Sequence, residues 1–155
     1  MTLFEMVDIV KKKIGRFCAF QERCSREVEL KLKEWDTPPA EIPGIIRQLK
    51  EEQFLDDERF AMAYVRGKLL IKRWGRIKTG HGLREKGIPE SIILKAFEEI
   101  DEDKYREILR LAILKKWKEI KHKKNLTIRE KLINFALTKG FEFDLIIQTL
   151  NELKL

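Results

Sequence analysis

Apolar side chains recur three and four residues apart along most of the chain, the spacing that gathers them on one face of an α-helix. Leu3, Val7, Val10, Ile14 and Phe17 set the pattern at the N-terminus. The punctuation between apolar stripes reads as helix ends. Ser25 can cap a helix carrying Val28 and Leu32, and in Thr37-Pro38-Pro39 a capping hydroxyl precedes prolines suited to a first helical turn. Asp56-Asp57-Glu58 puts carboxylates at the positive end of a helix that runs on through Phe60, Tyr64 and Val65. Gly87-Ile88-Pro89 ends one helix and opens the next, while Thr127-Ile128-Arg129-Glu130 has the form of a capping box. Strand signals are nearly absent, so the expected fold class is all-α.

The pattern repeats. With Asp36, Gly87 and Gly140 as anchors, the same offsets carry similar residues without a gap. Six residues on stand Ile42, Ile93 and Ile146; ten on, Ile46, Phe97 and Leu150; thirteen on, Leu49, Ile100 and Leu153. Four residues before the anchors stand Leu32, Leu83 and Ala136. Two looser offsets give Val28, Thr79 and Leu132, and Ile45, Ala96 and Thr149. Sixteen of these eighteen positions are apolar, where a 43% apolar composition gives about eight by chance. Lys86-Gly87 and Lys139-Gly140 both fall between paired helices, as a left-handed C-terminal residue would. Helical units of this size cannot bury their own faces, so tandem copies must stack on their neighbours. The expectation is three tandem three-helix repeats in an elongated, curved arrangement: 1–55, 56–120 with connecting helices, and 121–155.

Composition narrows the class further. The 155 residues hold 33 Lys and Arg against 26 Asp and Glu, a net charge of +7. No window approaches the roughly 18 uncharged apolar residues of a membrane span. Glu5, Asp8 and Lys11-Lys12-Lys13 interrupt any secretory signal, so a cytoplasmic protein is expected. Cys18 and Cys24, six apart, fit neither a redox pair nor a zinc knuckle and read as free thiols.

The positive charge is uneven. Residues 1–55 hold 10 basic and 10 acidic side chains, 56–100 hold 10 and 7, and 101–155 hold 13 and 9. From Arg59 through Arg84 there are eight basic residues, Arg59, Arg66, Lys68, Lys72, Arg73, Arg76, Lys78 and Arg84, and no carboxylate. If one helix runs from Asp57 to Arg73, then Arg59, Arg66 and Arg73 form one ridge. Trp74-Gly75-Arg76 breaks that helix; Trp74 either plugs the core between the first and second units or stands free to stack on a base. A second cluster, Lys115, Lys116, Lys118, Lys121, Lys123 and Lys124, is opposed only by Glu119, with Ile113, Trp117 and Ile120 as the apolar stripe beneath. These two clusters are the candidate binding residues for an anionic partner.

Catalytic patterns are missing. No GxxxxGK[ST] or GxGxxG run cradles a nucleotide. His81 and His122 lie in basic surroundings without the neighbours that metal ligation or general-base work requires. Asp56-Asp57-Glu58 fits capping better than a magnesium site. No catalytic residue, metal or cofactor is expected.

The run Arg23-Cys-Ser-Arg-Glu-Val-Glu-Leu-Lys-Leu32, Ile42, Leu49, Phe54-Leu-Asp-Asp-Glu-Arg-Phe-Ala61, Tyr64-Val-Arg66, Gly75-Arg-Ile77 and Leu83-Arg-Glu-Lys-Gly-Ile88 resembles the RecX family of bacterial recombination regulators. The likeness covers roughly residues 16 to 153, and Leu55-Asp-Asp-Glu-Arg-Phe-Ala61 is its most specific part. In the first repeat Trp35-Asp36 stands where that family usually has Lys-Gly, and Trp74 precedes the glycine of the second. The resemblance implies three-helix repeats and a non-enzymatic protein. It implies binding to the RecA recombinase filament on single-stranded DNA, in the filament's helical groove across protomers, with suppression of ATP hydrolysis and strand exchange; some members also bind DNA. A monomer is expected. The alternative from the residues alone is a stand-alone helix-turn-helix module for duplex DNA.

Overall fold

The computed structural model describes residues 1–123 and 127–155, which contain nine α-helices and no strand. The first unit comprises α1 (Leu3–Phe20), α2 (Ser25–Glu34) and α3 (Ile42–Glu51); the second, α4 (Asp57–Arg66), α5 (Arg76–Glu85) and α6 (Glu90–Phe97); the third, α7 (Glu102–Ile120), α8 (Ile128–Thr138) and α9 (Phe143–Leu153). The packing of α7 on α8 and α9 places it in the third unit, not in the second as the expected boundary at 120 implies. The difference has a physical cause: α7 also touches the segment Gly67–Ile71, so one apolar core runs through both units and no break in the pattern marks the border.

All three anchors adopt the left-handed conformation, with φ of 54° at Asp36, 75° at Gly87 and 94° at Gly140. Each closes its helix with the same pair of bonds. The anchor amide donates to the carbonyl three residues back (Lys33, Arg84, Leu137), and the next amide to the carbonyl five back (Leu32, Leu83, Ala136). This is the Schellman closure, which favours an apolar residue just after the anchor to pack on the helix end. Ile88 and Phe141 fill that slot and are buried. Thr37 fills it in the first unit, and the expected capping role is not realised: its buried hydroxyl has no hydrogen-bond partner among the described residues. The aspartate in place of glycine does not change the turn. Ile42, Ile93 and Ile146 are all buried, and none of the eighteen repeat positions is exposed.

Other helix ends follow local chemistry. Asp56 caps α4, accepting from the Arg59 amide at 3.0 Å. Ser25 does not cap α2; Cys24 holds that position, and the Ser25 hydroxyl donates instead to Asp57 at 2.7 Å. Two cores result. One lies within the first unit, built on Val10, Ile14, Val28, Leu32, Ile45 and Leu49. The other is continuous through the second and third units, from Phe60 and Leu83 to Leu109, Phe141 and Leu150, and takes Cys24 as its only buried residue from the first. Both cysteines are unpaired and buried. Burial pushes the Cys24 thiol up to about 11. No helix among the described residues is long and apolar enough to cross a membrane.

Candidate functional site

The acid-free stretch from Arg59 to Arg84 is acid-free only along the chain. Folding brings a carboxylate to four of its arginines. Arg59 pairs with Glu22 at 2.6 Å and also donates to the Gln53 carbonyl; Arg66 pairs with Glu99 at 2.7 Å. Arg84 grips Glu90 with two bonds of 2.7 and 2.8 Å. Arg76 bridges Glu102 at 2.6 Å and Glu142 at 2.7 Å while its guanidinium lies 3.9 Å from the centre of the Tyr105 ring. Burial opposes the Arg76 charge, but the bonds to Glu102 and Glu142 overcome it and hold the guanidinium above its ordinary range. Arg76 is thereby a structural tie between the second and third units.

The expected arginine ridge does not form. The α-helix gives way at Gly67 to a π-helical turn, Gly67–Ile71, whose wider winding breaks the seven-residue register, and Arg73 ends it in a left-handed conformation with φ of 53°. Of the two expectations for Trp74, burial in a core between the first and second units is not met. It is half-buried, belongs to neither core, and has the Lys68 ammonium 4.4 Å and the Lys78 ammonium 4.1 Å from its ring centre. The next residue, Gly75, abuts the third unit, donating to the Lys139 carbonyl at 2.7 Å.

Lys72, Arg73, Lys115 and Lys139, none within 4 Å of a carboxylate among the described residues, converge elsewhere. A groove of about 610 Å³ between the π turn, α7 and α8 is lined by Leu70, Ile71, Lys72, Arg73, Ala112, Lys115, Lys116, Glu119, Phe135 and Lys139. It joins the end of the first basic cluster to the start of the second. Glu119 is its one acid and lies 3.8 Å from Lys116. Lys139 donates to the Lys72 carbonyl at 2.9 Å. Burial, then the nearby charges of Lys78, Lys72 and Lys115, lower the pKa of its ammonium. An ammonium held among others is a place where an anion is stabilised on arrival. Lys118, Lys121 and Lys123 are exposed outside the groove, with Lys121 5.0 Å from the Trp117 ring centre. Lys124 lies outside the described residues.

Sequence reasoning missed Lys139 and Phe135, which come from α8 and its closing turn, more than sixty residues from Lys72. A signal existed in the repeat. Lys139 and Lys86 precede equivalent anchors, yet Lys86 has Glu27 at 3.8 Å, whereas the charges that act on Lys139 are those of Lys78, Lys72 and Lys115. The histidines give no further chemistry: His81 is exposed and 3.0 Å from Glu85. No group of three His, Cys, Asp or Glu side chains among the described residues could hold a metal ion.

Known proteins share this architecture. The family profile for the second three-helix domain of RecX matches residues 56–96, and that for the third three-helix domain matches 102–150. Regulatory protein RecX of Clostridium tetani is 34% identical over 140 residues, covering 89% of this chain and 64% of the relative. That of Clostridium acetobutylicum is 30% identical over 135 residues, covering 84% and 62%. The chain thus spans about half to two-thirds of the length of the curated relatives it matches. The crystal structure of RecX from Lactobacillus salivarius superposes with a TM-score of 0.84 at 25% identity, covering 96% of each chain. A further crystal structure of regulatory protein RecX gives 0.83 at 25%, covering 93% of this chain and 71% of the other. With both profiles falling on the two units that share one core and frame the groove, the chain belongs to the RecX family of regulatory proteins.

Proposed function

We propose that this protein is a non-enzymatic regulator of the RecA recombinase, binding its filament on single-stranded DNA and inhibiting ATP hydrolysis and strand exchange. The observation that carries the reading is the groove between the second and third units, where Lys72, Arg73, Lys115 and Lys139 gather with one acid among them. Its two walls belong to one apolar core, so the helices that carry these charges are held at a fixed spacing. A rigid cationic clamp reaching across neighbouring protomers opposes the subunit movements that accompany ATP turnover. Binding across protomers also favours filament over free subunit, because one subunit offers part of the contact.

The helix-turn-helix alternative fares worse on charge. In three-helix DNA-binding units the last helix enters the major groove. Here the exposed charges of α9 are Asp144 and Glu152, which would face phosphates, and those of α6, Glu90 and Lys95, cancel.

The test is co-sedimentation at about 0.15 M salt with filaments held by an ATP analogue, against bare duplex and bare single strand. The protein should pellet with filaments and inhibit their ATPase. Lys72→Glu combined with Lys115→Glu, both exposed positions, should abolish both effects with stability within about 1 kcal/mol of wild type. A charge-reversed variant that still inhibits overturns the reading; stronger binding to bare duplex supports the helix-turn-helix alternative.

A further inference from the structure

The π-helical turn Gly67–Ile71 sits on one wall of the groove. Such turns are rare and gather at functional sites. This one leaves Leu70 41% and Ile71 80% exposed. Single exposed apolar side chains are ordinary; two in succession on the wall of a cationic groove form a mixed surface that neither bare charge nor bare apolar area would complement.

The kind of cation matters as well. Lys72, Lys115 and Lys139 outnumber Arg73, and an ammonium is a compact point charge on a flexible stem that meets a carboxylate or a phosphate oxygen alike, so the choice between them falls to the apolar part of the groove. Single-stranded nucleic acid gains much of its affinity by stacking bases on open aromatic faces. Neither nearby aromatic offers one: Trp74 lies close to two ammoniums, and Phe135 is half-buried with Lys116 5.4 Å from its ring centre. The exposed apolar side chains of the groove, Leu70 and Ile71, are aliphatic.

We propose that the groove docks an acidic segment of a partner protein in which aliphatic residues are interspersed with Asp and Glu, the carboxylates resting on the lysines and an aliphatic side chain on Leu70 and Ile71. This deepens the functional reading above by naming what the groove grips, and depends on it only for which protein supplies the segment.

The experiment is calorimetric titration of the full chain at about 0.15 M salt with three probes: a short peptide mixing Glu and Leu, an all-Glu peptide of equal length, and oligothymidylate. The mixed peptide should bind roughly tenfold tighter than the all-Glu peptide, and Leu70→Ser with Ile71→Ser should remove that advantage. Ile71→Ser alone, at the more exposed position, guards against a folding defect and should remove most of it. Equal affinity of the variants and the wild type for the mixed peptide overturns the proposal, as does tighter binding of oligothymidylate than of either peptide. Filament co-sedimentation on the same variants separates this proposal from the function above. A wild type that takes the mixed peptide but does not pellet retires the recombinase and keeps the site. Serine variants that lose the mixed peptide's advantage yet pellet and inhibit like wild type keep both the site and the recombinase, and overturn the recombinase as the source of the segment.

Discussion

The two joints of this molecule solve one problem with different materials. At each, a helix of the earlier unit starts with backbone amides it cannot satisfy alone, and the following unit supplies acceptors. Where the first unit meets the second, the acceptor is the Asp57 carboxylate, taking the Ser25 amide at 2.8 Å and its hydroxyl at 2.7 Å. Around it are Arg59 with Glu22, Lys86 with Glu27 and the Arg26 guanidinium on the Glu85 carbonyl. Where the second meets the third, backbone is added to the Arg76 ion pairs with Glu102 and Glu142: the Gly75 and Ile77 amides at the start of α5 donate to the Lys139 and Gly140 carbonyls, and the Arg76 amide to the Tyr105 hydroxyl. Beneath that joint the apolar core is continuous. A joint of side-chain charges is open to salt and to single substitutions, while one of buried backbone and shared core makes two units behave as one body.

The largest test of this difference is Gly75→Ala. A Cβ at Gly75 would come 2.2 Å from the Gly140 oxygen and 2.4 Å from the Phe141 nitrogen, backbone atoms that cannot rotate away. The substitution should cost about 4 kcal/mol or more and separate the two units in urea unfolding. Gly44→Ala in the first unit, with nothing within 4 Å of its Cβ, is the control and should be neutral or stabilising. If Gly75→Ala melts like wild type, the close backbone contact is not what couples the units.

Next come the equivalent isoleucines. Ile93→Ala, Ile146→Ala and Ile42→Ala should each cost about 2–5 kcal/mol, since all three are buried. The first two should lower the stability of the second and third units together, and Ile42→Ala only that of the first. Trp35, with Trp74 and Trp117 replaced by Phe, reports the first unit by fluorescence. A Trp35 transition that moves as much for Ile146→Ala as for Ile42→Ala would show one cooperative body and erase the contrast.

What could be read from the sequence follows the same division. The repeats were legible because each unit needs the same left-handed turn and the same apolar slots, constraints satisfied within about twenty residues. Helix ends with local partners, such as Asp56 and Gly87, were legible for that reason as well. The partners of Arg59, Arg66 and Arg76 were not legible because they arrive from far along the chain: Glu142 reaches Arg76 across 66 residues and Glu22 reaches Arg59 across 37, whereas Arg84 has Glu90 six residues on. The π turn left no signature either, so a ridge drawn at helical spacing failed at Gly67. Half the groove was visible as two basic runs; that they converge, and on Lys139, is tertiary information.

A smaller effect probes the polar joint. Asp57→Asn keeps an oxygen for the Ser25 amide but loses the charge that also lies 3.9 Å from Lys50. It should cost about 1 kcal/mol at low ionic strength, and the difference from wild type should shrink by roughly half in about 1 M salt. Trp35 fluorescence during urea titration at both salt concentrations measures it. A cost unchanged by salt would mean the joint rests on hydrogen-bond geometry alone, which would bring it closer to its partner joint.

The smallest expected effects concern how far the first unit departs from its siblings. Asp36 holds φ of 54° where the other units use glycine, and left-handed backbone costs a residue with a Cβ about 1 kcal/mol. Thr37 sits where Ile88 and Phe141 pack, its hydroxyl buried and unpartnered among the described residues. A buried oxygen without a bond costs about 1–3 kcal/mol relative to one that has it, so an apolar group of the same shape should gain part of that back. Thr37→Val should therefore stabilise the first unit by about 1 kcal/mol, and Asp36→Gly by up to about 1 kcal/mol less the extra freedom glycine gives the unfolded chain. The two residues are adjacent, so the double variant is read as a cycle against the singles, again through Trp35. Gains in the first unit with no change in the other two would place its weakness in the turn itself. A loss on Thr37→Val would mean that the hydroxyl has a partner in solution, and that the first unit's turn differs from its siblings by design of its hydrogen bonds rather than by a poorly filled slot.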